Sequence, residues 1–192
     1  MRLLGSIVRL QYQRDHLKVP AGRFKRYDPS NIVTVDELRF TPDGVEAGPL
    51  DAPIIDVHHR SHEYSRNRGD NGISIGFTGH YEIMRAKFGE RIALGVAGEN
   101  IIIDNPNRIM ESELAPGVSI ETAEGPTLID GIFVAAPCVE FSRYALDFPQ
   151  DDRPDRTVTD TIAFLHEGLR GYYAGVAQSF TLRVGDRVFI RD

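Results

Sequence analysis

The chain is cut by turn residues into many short β-type runs, and this pattern limits the available folds more than any single residue does. "SIVRLQY" alternates so that Val8, Leu10 and Tyr12 share one face. "NIVTVDELRF" is β-branched, bounded by Ser30 before it and "TPDG" after it. "ENIIID" is a short continuous apolar run, consistent with a strand covered on both faces. "GVSIETAEG" and "TLIDGIFVAA" follow, parted by the turn-like "EGP". "SFTLRVGDRVFI" reads as two strands joined by a Gly-Asp turn, with Phe180, Leu182 and Val184 on one side. Helical periodicity interrupts the series twice. "TGHYEIMRAKFG" has Thr78 as N-cap, Tyr81, Met84 and Phe88 on one face, and Gly89 as its stop. "TVTDTIAFLHEGLRG" spaces Ile162, Leu165 and Leu169 helically, with Thr157 or Thr159 ahead and Gly171 behind. Many short strands with two scattered helices predict a mainly β barrel or sandwich with peripheral helices, not a doubly wound sheet. The 192 residues suffice for a single domain, 1–192, with a core that needs no staples.

Two stretches read as surface loops. The first runs from Pro42 to Asn71 and is rich in Gly, Pro, Asp, His and Arg; the second is "DFPQDDRPDR", Asp147 to Arg156. A net charge of −6 argues against broad binding to nucleic acid or anionic membranes, although a local basic pocket can survive in an acidic chain. Lysine occurs only at positions 18, 25 and 87, so the basic residues are chiefly arginines, whose planar fork suits phosphate and carboxylate. The first residues lack the apolar core of a signal peptide, and no apolar run approaches a membrane span. With a single cysteine, this points to a reducing cytoplasm.

That cysteine, Cys138, follows a proline and precedes an alternating, strand-like run in "VAAPCVEFSRYA". It is either a small core hydrophobe or a thiolate that attacks, carries sulfur or binds a soft metal. The thiolate would need positive charge nearby, from Arg143 five residues on or from loop arginines. "DVHHRSHEY" gathers Asp56, His58, His59, His62 and Glu63 within eight residues. No established zinc or iron spacing is present, and on a strand His59 would face away from His58 and His62. "GVAGENI" places Gly98, Glu99 and Asn100 before the buried strand, as a tight turn or as part of a site. "GLRGYY" brackets Arg170 between glycines, as a helix end or as the mouth of a pocket.

The order of these pieces is more specific than any one of them. A loop with D-x-H, a helix, "GVAGENI", "APCVEF" and "GLRGYYAGV…VGDRVFI" together resemble the MOSC domain, the C-terminal domain of molybdenum cofactor sulfurases and their stand-alone relatives. The resemblance runs from "GSIVRL" to "VGDRVFI" and implies a β-barrel related to that of pyruvate kinase. It also implies a pocket for the molybdenum cofactor (molybdopterin), a pterin with a phosphate and a metal-holding dithiolene. Cys138 would then be the catalytic sulfur carrier or the molybdenum ligand. Asp56, His58, Gly98, Glu99, Asn100, Arg170 and Gly171 would match the family's cofactor-binding positions. The family implies sulfur transfer or reduction of N-hydroxylated compounds, with a cysteine desulfurase or an electron-donor reductase as partner. Pyridoxal phosphate would belong to such a partner. The glycines usual beside the loop's Asp and His are absent here, where Ile55, Val57 and His59 stand, and the loop to Asn71 is unusually rich in His and Arg. Two other functions follow from the residues: an adaptor that has lost the cofactor, and a hydrolase with a metal on His58, His59 and His62.

Overall fold

The structure, a computed structural model, describes residues 1–148 and 155–191. Its elements in chain order are β1 (Arg2–Gln13), β2 (Lys18–Ala21), β3 (Phe24–Tyr27), β4 (Ile32–Val35), β5 (Glu37–Thr41), β6 (Gly44–Ala47), β7 (Ile54–Ile55) and β8 (Ile73–Phe77). There follow α1 (Thr78–Phe88), β9 (Ile101–Ile103), α2 (Glu111–Leu114), β10 (Val118–Thr122), β11 (Gly125–Val134), α3 (Val139–Leu146), α4 (Arg156–His166), β12 (Tyr172–Gly175), β13 (Phe180–Arg183) and β14 (Arg187–Ile190).

The mainly β expectation holds. Strands β14, β10, β11, β12, β8, β9 and β1 pair in that order, and β1 returns to β14 to close a seven-stranded barrel. Closure leaves these strands no free edges. All barrel pairs are antiparallel except β8 with β9, which α1 connects. A second sheet, β13-β5-β6-β7, packs Leu38, Phe40, Val45 and Leu182 onto the barrel interior of Ile7, Leu10, Phe77 and Ile101. Strand β9 is buried on both faces, as its unbroken apolar run predicts. Ile101 and Ile103 point into the barrel, whereas Ile102 joins a second core with Tyr81, Met84, Phe141 and Leu165 beneath the helices.

Several expectations need correction. Val8 is 39% exposed, while Ile7, Leu10 and Tyr12 are buried. A register shift between Ile7 and Arg9 inserts a bulge that reverses the alternation there. "NIVTVDELRF" is two strands, since β4 pairs with β1 and β5 with β13 and β6. The two last strands meet at the Gly185-Asp186 turn but do not pair; β13 joins β5, and β14 joins β10 and β1. Val184 is exposed at that turn, unlike Phe180 and Leu182. The strand-like run after Cys138 is α3, whose Phe141 and Ala145 are buried at helical spacing. Part of the Pro42–Asn71 loop is β6 and β7. Thr78 is the first residue of α1 rather than its cap, bonded to Asp104 and Asn105, and Asp155 caps α4 in place of Thr157 or Thr159. Most of the expected 147–156 loop lies outside the described residues. No helix among the described residues is long and apolar enough to cross a membrane.

Candidate functional site

The ends of β1, β3, β11 and β12, the start of α3 and the loop after Asp56 enclose a cavity of about 800 Å³. Cys138 lies on its wall. Its backbone is extended (φ −115°, ψ 159°) and it caps α3, with Sγ accepting from the Phe141 amide at 3.4 Å. The sulfur therefore sits at the N-terminal end of α3, facing the free amides of its first turn. Just before it, the Ala135 amide donates to the Gly171 carbonyl at 2.9 Å, tying the Cys138 segment to the "GLRG" turn.

The cation nearest in role is Arg170, not Arg143. Arg143 is buried on α3 with its guanidinium 5.9 Å from the Phe24 ring, and the cavity is lined instead by Arg170, Lys18, Lys25, Arg66 and Arg68. The Arg170 guanidinium lies 5.2 Å from the ring of Phe141, the residue whose amide meets the sulfur, and 3.9 Å from Glu99. Burial works against its charge, but Tyr27, Glu99, Tyr173 and Cys138 outweigh burial and hold its pKa above the ordinary value.

The cavity rests on a buried polar floor. Asp56 is fully buried and accepts from the Gln13 amide (2.7 Å), the His58 amide (2.8 Å), His58 Nδ1 (2.9 Å) and Asn100 Nδ2 (3.2 Å). Burial alone would raise its pKa. The bond to His58 and the charge of that ring, with the two amides, outweigh burial and leave it below the usual carboxylate range. The Asp56 bond fixes the His58 ring with Nε2 as its free nitrogen, and His58 lines the cavity. Asn100 accepts from the Ser74 amide (3.0 Å) and hydroxyl (2.9 Å) and donates to the Gln11 carbonyl (3.2 Å), joining β1 to β8. Glu99 is 1% exposed; the Tyr81 hydroxyl donates to its Oε2 at 2.5 Å. Burial raises the Glu99 pKa, against the pull of Arg170 and Tyr81.

Of the residues singled out in the sequence, Cys138, His58 and Arg170 line the cavity. Asp56, Glu99 and Asn100 lie beneath it and orient what lines it. Gly98 and Gly171 act through space. A Cβ on Gly98 (φ +89°) would strike Gln13 Nε2 and Leu17 Cδ1 at 2.8 Å. At Gly171 (φ +98°) it would lie 2.7 Å from the Ile75 carbonyl oxygen and 3.0 Å from Glu99 Cγ. Gly171→Ala is therefore expected to cost about 2–4 kcal/mol, combining a left-handed backbone with overpacking. Thermal denaturation should show a drop of very roughly 5–15 °C; an unchanged midpoint would contradict the close approach.

The histidine cluster does not converge on a metal. His58 is held by Asp56, His59 Nε2 lies 3.3 Å from Glu46 Oε1, and His62 packs against the Tyr64 ring. Among the described residues no group of three His, Cys, Asp or Glu side chains could hold a metal ion, which counts against the hydrolase reading. The reading of "GLRGYY" as a pocket mouth and of loop arginines near the thiol agrees with Tyr173, Arg66 and Arg68 in the lining, whereas Lys18, Lys25, Phe133 and Tyr27 were missed. A signal existed for the lysines, because two of only three lie within "KVPAGRFKRY".

Comparison with known proteins bears on the fold and the family. Among solved structures, the YuaD protein from Bacillus subtilis superposes with a TM-score of 0.61 at 14% identity, covering 96% of this chain and 93% of that one. YiiM from Escherichia coli gives 0.54 at 15% identity, covering 97% of this chain and 70% of that one. YiiM from Geobacillus stearothermophilus gives 0.51 at 12% identity, with 100% and 75% covered. At these identities the likeness is one of fold. No curated protein sequence matches. The family model of the MOSC domain matches residues 59–189, a span that contains His59, the Gly98-Glu99-Asn100 turn, Cys138 and Arg170. The barrel, the lone thiol on its cavity and this match together show that the chain belongs to the MOSC domain family.

Proposed function

We propose that the cavity holds the molybdenum cofactor, with Cys138 as a thiolate ligand to the metal, and that the protein is the cofactor-bearing component of a reductase of N-hydroxylated compounds. The observation that carries this reading is the position of the only cysteine, fixed at a helix start on the wall of a deep cationic cavity. The residues suit the group. Thiolate is a soft donor for the metal. Lys25, Arg66, Arg68 and Arg170 offer charge for a phosphate, and Phe133, Tyr27 and Tyr173 offer flat apolar surface for a pterin.

When bound, the cofactor supplies a two-electron centre that can take oxygen from an N–O bond. The chain's own part is positional and protonic. Reducing N–OH to N–H and water consumes two electrons and two protons. The electrons come from a partner protein, and His58 holds and releases a proton at Nε2 while Asp56 fixes its ring. Arg170, compensated by Glu99, keeps positive charge beside the thiolate. The Phe141 amide at Cys138 Sγ and the Ala135–Gly171 bond in the segment before it give the thiol a defined position, which suits a ligand to a resident cofactor. An adaptor would not need the buried Asp56 and Glu99 floor, whose desolvation is costly.

Molybdenum and pterin content of protein from a cofactor-producing host tests the reading. Wild type should retain both near stoichiometry. Folded Cys138→Ser should retain at least roughly tenfold less, since loss of a direct ligand exceeds the usual effect of altering an outer-shell partner. Folded wild type carrying neither molybdenum nor pterin would sink the proposal.

A further inference from the structure

The ribbon formed by β2 and β3 carries Lys18, Arg23, Lys25 and Arg26 and no acidic residue over 18–27. Its register, Lys18 with Tyr27, Pro20 with Lys25 and Ala21 with Phe24, sends alternate pairs to opposite faces. Lys18, Lys25 and Tyr27 line the cavity, so Phe24 and Arg26 lie on the other face. Arg66, Arg68 and the 49% exposed Tyr64 belong to the same cavity lining. Asp70 and Glu140 are the only acidic residues of the lining, and Lys18 takes up Glu140 at 3.4 Å. Arg26 pairs with Asp28, but the side chains of Arg23, Lys25, Arg66 and Arg68 form no ion pair among the described residues.

We propose that this basic rim is the docking surface for a small acidic electron-transfer protein. The inference rests on the reductase reading, which requires electrons delivered into the cavity through this mouth. The chain's net charge is −6, so a positive rim leaves the remaining surface strongly negative. An acidic partner is therefore drawn to the mouth and repelled elsewhere, which orients the encounter as well as accelerating it. The same overall charge disfavours nucleic acid, whose long backbone would also meet the acidic surface. The half-exposed Tyr64 of the lining supplies the aromatic contact that such charged rims surround. The ribbon packs on α3, with Phe24 over Arg143, so a docked partner presses on the element that positions Cys138.

The test uses two protein probes of opposite charge, flavodoxin (acidic) and cytochrome c (basic), titrated into isotope-labelled protein and followed by amide shifts. At about 20 mM salt, where screening is weak, flavodoxin should move amides of residues 18–27 and 60–70 and cytochrome c should not. About 300 mM salt should weaken flavodoxin binding roughly tenfold or more. Arg23→Glu/Arg26→Glu, both outside the cavity, should do the same while leaving cofactor content unchanged. In loaded protein this variant should slow turnover driven by flavodoxin but not by reduced methyl viologen. Absence of flavodoxin binding at low salt, shifts mapping elsewhere, or an affinity indifferent to the double variant would each overturn the docking surface. Displacement of flavodoxin by a single-stranded oligonucleotide at about 150 mM salt would overturn it in favour of nucleic acid. Wild type without cofactor would instead sink the reductase reading, and the shift map would still report on the surface.

Discussion

Asp56→Ala is expected to cost about 3–5 kcal/mol of folding stability, the range for breaking a buried charged pair. Asp56 is wholly buried and is the common acceptor for the Gln13 and His58 amides, the His58 ring and the Asn100 amide. Alanine strands these donors where Gln13 and Asn100 have almost no access to water. It also frees the His58 ring, so the cavity loses an oriented group together with its stability. Urea unfolding measures the loss, and a change near zero would show that the floor is not cooperative. Asp56→Asn supplies a pH control. The Asp56 pKa is depressed in the fold, so its ionisation stabilises the protein fully above the unfolded value near 3.9, and that contribution drains as pH falls through the folded value. Asparagine cannot titrate. The stability gap between wild type and Asp56→Asn should therefore be widest at neutral pH and narrow below about pH 4. A gap that is flat with pH would mean that the Asp56 pKa is the same in the folded and unfolded chains.

The parts of the barrel legible in the sequence are those where local pattern and burial agree. "ENIIID" is apolar without a break because Ile101 and Ile103 face one core and Ile102 the other. Tyr81 and Met84 likewise advertise the buried face of α1. Where the pattern misleads, a non-local cause is at work. The bulge beside Val8 depends on pairing with Ile102 and Ile103, partners far away in the chain. Asp36 and Gly185-Asp186 look like ordinary interruptions, yet at each the chain leaves one sheet for the other, and no local residue encodes which sheet receives it. The segment after Cys138 alternates over "VEFS" and reads as a strand. It folds as α3 because Cys138 caps it and because Phe141 and Ala145, four apart, both find the second core.

The site was legible as a set of residues but not as an arrangement. Spacing in "DVHHRSHEY" shows several imidazoles; only the fold shows that Asp56 claims one of them and that the others turn to Glu46 and Tyr64. "GEN" reads as a turn or as ligands, and it is neither alone. Gly98 and Gly171 make room, Asn100 ties strands together, and Glu99 faces Arg170 from below. The basic rim went unread because Lys18 and Lys25 are seven residues apart, and the ribbon that brings them to one wall has no strong turn signal beyond Gly22.

Glu99 carries the second large effect, and a double-mutant cycle with Arg170 isolates it. Glu99→Ala removes the carboxylate that faces the Arg170 guanidinium, strands the Tyr81 hydroxyl and opens space between Gly76 and Gly171, both of which would strike the Glu99 side chain if they bore a Cβ. The expected loss is about 3–5 kcal/mol, most of it from leaving a buried cation without its counter-charge. Glu99→Gln keeps the volume and an acceptor for Tyr81 but not the charge, so it separates packing from electrostatics. In an otherwise wild-type chain Glu99→Gln should cost at least about 1 kcal/mol, because Arg170 stays charged at any workable pH. Combined with Arg170→Met it should cost measurably less than the sum of the two single changes, with a coupling of about 1–3 kcal/mol. Additive losses would mean that the separation of 3.9 Å carries no net interaction and that Arg170 is held only by Phe141 and Tyr27. Coupling of the expected size would make Glu99 the residue that keeps positive charge fixed beside Cys138, and would explain why a carboxylate whose burial opposes its ionisation is kept under the cavity.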